Sequence, residues 1–256
     1  MYIFCISDKN NAERRKNALH EFAKVGIEAE FFDAVMGKQL PKEELAAETY
    51  PWCYLTLGEV GCSLSHRGCY DKLLASDEKS AVIFEDDFYF TEEMSIPRLE
   101  KLVDFIENQK EPAVLTLYIA YEDFKNVGTA FDDVEIHQGF NLYCTHGYII
   151  NRAAAERIRD IQSPIAFEAD AFKYFYFLRG VKLYSLSKNL ARQQPQEILP
   201  SAITNERFTV KNRKKNRPRT FWHVFGRLDF SDKIESLKRR LYRQYMIRIK
   251  GTSRQE

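Results

Sequence analysis

No run of about 18 apolar residues occurs in this chain of 256, so no membrane-spanning helix is expected. The opening Met1-Tyr2-Ile3-Phe4-Cys5-Ile6 is apolar, but it is too short for the central region of a signal peptide. It also lacks a basic lead and soon meets Asp8-Lys9. Five cysteines (Cys5, Cys53, Cys62, Cys69 and Cys144) form no CxxC pair, and their odd number prevents complete internal pairing. Reduced, mostly packing thiols are expected, with the cytoplasm as the default compartment. GxGxxG and Walker patterns are both missing, and no internal repeat is visible, which argues against a dinucleotide-binding or P-loop protein and against a solenoid. A net charge of +1 excludes a uniformly basic or acidic chain, yet it conceals an asymmetry. Residues 206–256 carry a net +11 and the remaining 205 a net −10, an acidic body with a basic tail.

What is present describes a globular α/β protein. Hydrophobic residues make up 45% of the chain and charged residues 29%, with 14 Tyr and 19 Phe, enough for a substantial core and for an aromatic pocket. Strand character at Tyr2 to Ile6, a helix carrying Ala18, Leu19, Phe22 and Val25 and stopping near Gly26, and a second strand at Ala29 to Phe32 predict a β-α-β opening. Further along, helical character is expected from Val60 to about Leu74, from Pro97 to Ile106, from Arg152 to Ile161 and from Phe167 to Phe177. Strands are expected at Ala113 to Leu117, Tyr143 to Ile150 and Val181 to Leu186. The fold class expected is α/β, one Rossmann-like domain with a mixed, mainly parallel sheet over residues 1–200. A basic, partly helical extension covers 201–256. Arg207 to Arg219 reads as too basic for core. Ile234, Leu237, Leu241, Tyr245 and Ile249 recur every three or four residues among bases, describing a basic amphipathic helix.

The most informative local feature is Glu85-Asp86-Asp87, directly after the apolar run Ala81-Val82-Ile83-Phe84. Such a run suits a strand covered on both faces, and ligands of open α/β sheets gather beyond the carboxyl ends of such strands. Along an extended backbone Glu85 and Asp87 point to one side and Asp86 to the other, so the pair can share one ion. Carboxylate oxygens are the ligands that Mg²⁺ or Mn²⁺ takes together with substrate phosphates. A solvated acidic turn capping a helix is the alternative.

Leu57-Gly58-Glu59-Val60-Gly61-Cys62-Ser63-Leu64-Ser65-His66 precedes that acidic strand. A Gly-Glu-Val-Gly-Cys-x-x-Ser-His segment coupled to an apolar strand ending in Glu-Asp-Asp resembles glycosyltransferase family 25, the bacterial lipooligosaccharide galactosyltransferases. Weaker similarity extends over about residues 1 to 195, through Ala12-Glu13-Arg14-Arg15, Gly147-Tyr148-Ile149-Ile150-Asn151-Arg152 and Asp170. The first strand departs from the family pattern, with Ile6-Ser7-Asp8-Lys9 in place of an Asn-Leu-(Asp or Lys) triplet. The resemblance implies a GT-A type fold, a nucleotide-sugar donor, usually UDP-galactose, and inverting transfer onto a lipooligosaccharide or lipopolysaccharide glycan.

Under that resemblance Asp87 and Glu85 hold the metal, and Glu85, Asp86, Glu59, His66, Arg14 and Arg15 surround the donor. His146 is a further candidate for the metal or phosphate shell. Asp170 is the leading base for the acceptor hydroxyl and Glu168 its rival, while Gln193 and Gln194 are candidates for the acceptor. Each has a plainer reading: Glu168 and Asp170 as helix-start acids, His66 as a structural group, Arg14 or Arg15 as an exposed helix start, and the two glutamines as loop. The basic tail suits docking on an anionic membrane surface at the inner face of the cytoplasmic membrane, near a glycolipid acceptor. It equally suits a stripe packed on the body or on a second subunit. Outside this class, the acids can serve a metal-dependent phosphoesterase, or a nuclease with the tail on nucleic acid.

Overall fold

The computed structural model describes residues 2–119, 122–131, 133–195, 210 and 212–250, with the backbone alone at 122–124 and 250. The expected opening is present: β1 (Tyr2–Ser7), α1 (Ala12–Val25) and β2 (Glu30–Asp33), with β1 and β2 parallel. Asn11 caps α1 by accepting from the Arg14 amide, and Gly26 closes it at φ +73°, a left-handed conformation that an L side chain adopts only under strain. A short helix α2 (Lys42–Glu48) leads to the long α3 (Leu57–Leu74), then β3 (Ser80–Glu85) and β4 (Phe88–Phe90). Next come α4 (Ile96–Glu107), β5 (Ala113–Thr116), β6 (Glu122–Phe131), β7 (Val134–Asn141), β8 (Gly147–Asn151), α5 (Arg152–Ile161), α6 (Phe172–Arg179), β9 (Lys182–Leu186) and β10 (Ala191–Gln193). The tail forms α7 (Arg213–Arg227) and α8 (Phe230–Lys250).

Eight strands form one mixed sheet in the order β2-β1-β3-β8-β5-β9-β7-β6, and β4 pairs with β10 beside it. The parallel pairings are β1 with β2, β1 with β3 and β5 with β9. Their share is smaller than the sequence pattern suggests. Strand β8 is inserted antiparallel between β3 and β5, and the β6–β7 hairpin extends one edge. Both faces of the central strands are covered, which is why they read as unbroken apolar runs. On β3, Ala81 and Ile83 face a core shared with Cys69, Ala154, Phe172 and Phe221. Val82 and Phe84 face the other core, with Phe22, Leu99 and Leu102.

Two expectations need correction. The helix predicted from Phe167 begins at Phe172, because Gln162 takes up the backbone of the preceding segment. Its Oε1 accepts from the Ala166 and Phe167 amides and its Nε2 donates to the Phe167 carbonyl. The strand predicted from Tyr143 begins at Gly147, because Cys144 sits at φ +65° and breaks the extended backbone. The basic segment stays out of the core among its described residues, but Arg213 within it reaches two buried carboxylates, and beyond it Phe221 and Val224 of α7, with Leu228 after its end, join the first core. Residues 196–209, where the sequence pattern puts the domain boundary, lie outside the described residues.

Candidate active site at the end of the third strand

Strand β3 runs parallel to β1 with Ile6 opposite Glu85, so the three acids emerge where β1 gives way to the α1 N-terminus. Each acid meets a different neighbour. Arg14 Nη1 donates to Asp86 Oδ1 at 2.6 Å, and its Nη2 lies 3.5 Å from Asp87 Oδ2. Gln193 Nε2 donates to the same Asp87 oxygen at 3.0 Å, the Gln194 amide donates to the Asp87 carbonyl at 2.7 Å, and Asn17 Nδ2 donates to the carbonyls of Asp86 and Phe88. The two glutamines expected at the acceptor therefore brace the acidic turn. They do so because β10 pairs with β4, Gln193 opposite Phe88.

Glu85 turns the other way, so the expected alternation, Glu85 with Asp87 on one side and Asp86 on the other, is not kept: residues 86–87 form a turn rather than extended backbone, and both aspartates face Arg14. Its Oε1 is 3.2 Å from His66 Nε2 and also accepts from the Thr145 hydroxyl, and His66 Nδ1 lies 2.8 Å from the Tyr148 hydroxyl, itself 2.8 Å from that of Tyr70. His66 is thus an integral, buried member of the site, held on α3 between Glu85 and a pair of phenols.

The electrostatics follow from burial. Burial pushes the Asp87 carboxyl up to about 6, with the Glu85 charge adding to the effect. Burial also raises Asp86, against the pull of Arg14. For Glu85 burial acts upward as well, but the hydrogen bonds from His66 and Thr145 outweigh it and hold the carboxyl below its ordinary value. Asp87 Oδ1 is buried with no hydrogen-bond partner. An acceptor left open inside a protein is what a cation ligand looks like before the cation arrives. A cavity of about 210 Å³ adjoins Glu85 and Asp86, and Ser7, Asp8, Arg14 and Cys62 are among its other lining residues.

The open Asp87 Oδ1 is an oxygen donor of the kind a hard divalent ion takes. A softer donor set stands beside it: Cys62 Sγ, a His66 ring nitrogen and a Glu85 oxygen lie within 4.8 Å of one another. Sequence reasoning does not single out Cys62 as chemistry, although its position four residues before His66 on one helix is the available signal. Gly61 has a steric reason to be glycine, since a Cβ there would lie 2.3 Å from the Val35 carbonyl oxygen. That close approach seats α3 against the loop forming the far wall of the cavity.

Asp170 accepts from the Cys144 amide at 3.3 Å, and the Tyr118 hydroxyl donates to the Cys144 carbonyl at 2.8 Å and to that of Tyr143. The Tyr118 phenol is raised far above its usual range by burial, with Cys144, Asp170 and Glu85 contributing. Asp170 and Glu85 thus both bear on one buried phenol. His146, packed on Tyr118 at 4.3 Å between ring centroids, is pushed down to about 4 by burial and is neutral near pH 7.

The other expected residues go elsewhere. Arg15 bonds Asp33, lies over Phe31 and donates to the Ser7 carbonyl at 3.4 Å, without itself lining the cavity. Glu59 and Thr56 form a capping box at the start of α3, and both Glu59 oxygens also accept from Arg213 at 2.8 Å. Glu168 accepts from Arg213 at 2.8 Å and from the Tyr54 hydroxyl at 2.9 Å, with Arg217 at 3.5 Å. Glu168 is thus buried and engaged by three partners.

Residues 1–173 match the model of glycosyltransferase family 25 (LPS biosynthesis protein). A glycosyltransferase 25 family member of Drosophila melanogaster is 30% identical over 171 residues, which is 61% of this chain and 27% of that protein. Procollagen galactosyltransferase 2 of Homo sapiens is 27% identical over 172 residues, with the same two coverages. The inactive glycosyltransferase 25 family member 3 of Mus musculus is 26% identical over 220 residues, 74% of this chain and 36% of that protein. The matches thus span about a quarter to a third of these relatives' own lengths.

Proposed function

This chain belongs to glycosyltransferase family 25, and from that premise we propose that it is an active, inverting, metal-assisted hexosyltransferase. The donor is UDP-galactose and the acceptor a glycan of lipooligosaccharide or lipopolysaccharide type. A family that includes a member named inactive does not by itself imply activity. The observation that carries the reading is the buried, unpartnered Asp87 Oδ1, next to Arg14, Asp86 and Glu85, which line the cavity. The name of the human relative supports galactose as the sugar, and the family description supports the acceptor class.

In this reaction an acceptor hydroxyl oxygen bonds to the anomeric carbon as the bond from that carbon to the diphosphate oxygen breaks on the opposite side. Asp87 and Glu85 would hold Mn²⁺ or Mg²⁺, which supplies Lewis-acid neutralisation of charge on the leaving diphosphate. Arg14 fixes Asp86 and aims its second guanidinium nitrogen at Asp87, keeping the acids oriented. Asp170 takes the proton of the acceptor hydroxyl. The phosphoesterase and nuclease readings give no role to a sugar acceptor and leave the family membership unused.

The test is thermal shift with a panel of nucleotide sugars, with and without Mn²⁺, followed by an acceptor panel using the donor that stabilises. Stabilisation by UDP-galactose only with metal, and transfer to a glycan with inverted configuration, are expected. Indifference to every nucleotide sugar would sink the proposal.

A further inference from the structure

The tail's last helix is turned inside out relative to an ordinary surface helix. Its inward face carries Ser236, Arg239 and Met246: Ser236 is fully buried, Arg239 Nε donates to the Phe177 carbonyl at 3.1 Å, and Met246 packs on the core. Arg240 lies over the rings of Phe221 and Trp222, 5.1 Å from each centroid, and Asp232 accepts from Arg179 at 3.2 Å. With that face fixed, the apolar stripe points to solvent. Phe230 is 80% exposed, Leu241 65%, Ile249 61% and Tyr245 59%, and Ile234 and Leu237 are exposed between them. Six large apolar residues along one 21-residue helix exceed the scatter of single exposed side chains on a soluble surface.

Charge decides what covers the stripe. Lys238 and Arg248 are exposed on the same side, and Lys233 is half-buried at its border. The only acids of α8 are Asp232 and Glu235, and both are engaged, with Arg179 and with Lys238. Two copies of this helix laid face to face would oppose bases to bases with no spare acid between them. No helix among the described residues is long and apolar enough to cross a membrane. An apolar stripe bordered by bases fits an anionic interface on which a helix lies flat.

We propose that α8 docks the protein on an anionic phospholipid surface, inserting the stripe from Phe230 to Ile249 between headgroups while Lys233, Lys238 and Arg248 meet the phosphates. The inference stands on the geometry of α8 and is independent of which sugar is transferred.

Vesicle flotation of the full chain tests it, using phosphatidylcholine alone and phosphatidylcholine mixed with phosphatidylglycerol. Binding to the mixed vesicles only, weakened by added salt, is expected. The double variants Leu237→Glu with Leu241→Glu, and Lys238→Glu with Arg248→Glu, should each lower binding about tenfold or more without changing the melting temperature. Failure to bind the mixed vesicles, equal binding to neutral vesicles, or unaltered binding by either variant overturns the proposal. Sedimentation velocity separates the remaining occupant. A single species at all concentrations is expected, and a concentration-dependent dimer dissolved by Leu241→Glu would give the stripe to a second copy instead.

Discussion

Glu59 and Glu168, under the start of α7, and Asp86 and Asp87, at the end of β3, are all buried carboxylates, but the fold completes the two groups differently. In the first, Arg213 forks onto both oxygens of Glu59 and onto Glu168, while Thr56, Tyr54 and Arg217 supply the remaining partners. In the second, one arginine serves two acids, the contact to Asp87 is 3.5 Å long, and one Asp87 oxygen has no partner. The Arg213 guanidinium is held more firmly protonated by its hydrogen bonds to Glu59, whereas the Asp87 carboxyl is driven up to about 6. Saturated buried charge is architecture. Unsaturated buried charge beside a cavity is a standing cost, retained where a ligand completes it.

The contrast breaks most visibly at Arg213. Arg213→Ala leaves Glu59 and Glu168 buried without their counter-charge and should cost about 3–5 kcal/mol in chemical denaturation. Arg213→Lys should recover only part, since an ammonium cannot reproduce the two-pronged contact. A loss below about 1 kcal/mol would remove the architectural reading.

Next is the division between neighbouring acids. Asp170→Asn should lower transfer about a hundredfold or more while UDP binding, measured by calorimetry, is retained. Glu168→Gln should instead lower the melting temperature. A Glu168→Gln protein that melts normally yet transfers no sugar would reverse the two roles.

At Asp87 the sign of the stability change is itself diagnostic. Its folded-state carboxyl, at about 6, lies above the ordinary value near 4. Its contribution to metal-free stability is therefore full below about pH 4 and is lost as pH rises through about 6. Asn mimics the protonated form, so Asp87→Asn in EDTA should be more stable near neutrality, by an amount on the order of 1–3 kcal/mol, and should flatten that limb of the pH curve. The same variant should lose any metal-dependent stabilisation by UDP-galactose. A destabilised metal-free variant would move Asp87 into the closed group.

The smallest effect sharpens the same boundary. Thr56→Ala removes half of the capping box and should cost about 1 kcal/mol in thermal unfolding, leaving nucleotide binding unchanged.

Much of the site is legible in the residues alone. The acids at the end of a two-face-buried strand and the β-α-β opening follow from period and position, because strand and helix patterns record local burial, whereas His66 enters through the family resemblance. The roles of Glu59 and Gln193 do not. Glu59 carries a family signature, but it is 154 residues from the arginine that claims it, and Gln193 is 106 residues from Asp87. Three residues on from Thr56, Glu59 also fits a capping box, a local signal that explains its position without a ligand. The β6–β7 hairpin escapes sequence reasoning because its edge strands mix polar and apolar residues without the dense runs of β3.

By itself the sequence determined the α/β class, the family, the acidic strand end and the two-faced pattern of the last helix. All of these are written in residues close to one another along the chain. Only the tertiary structure decided which acids are neutralised and which are left open, and which face of α8 looks outward. Neutralisation depends on the side chain that packing brings within about 3 Å. A helical period names two faces, but only the body against which the helix lies decides which of them is buried. Here that body took the arginines and left the leucines to solvent.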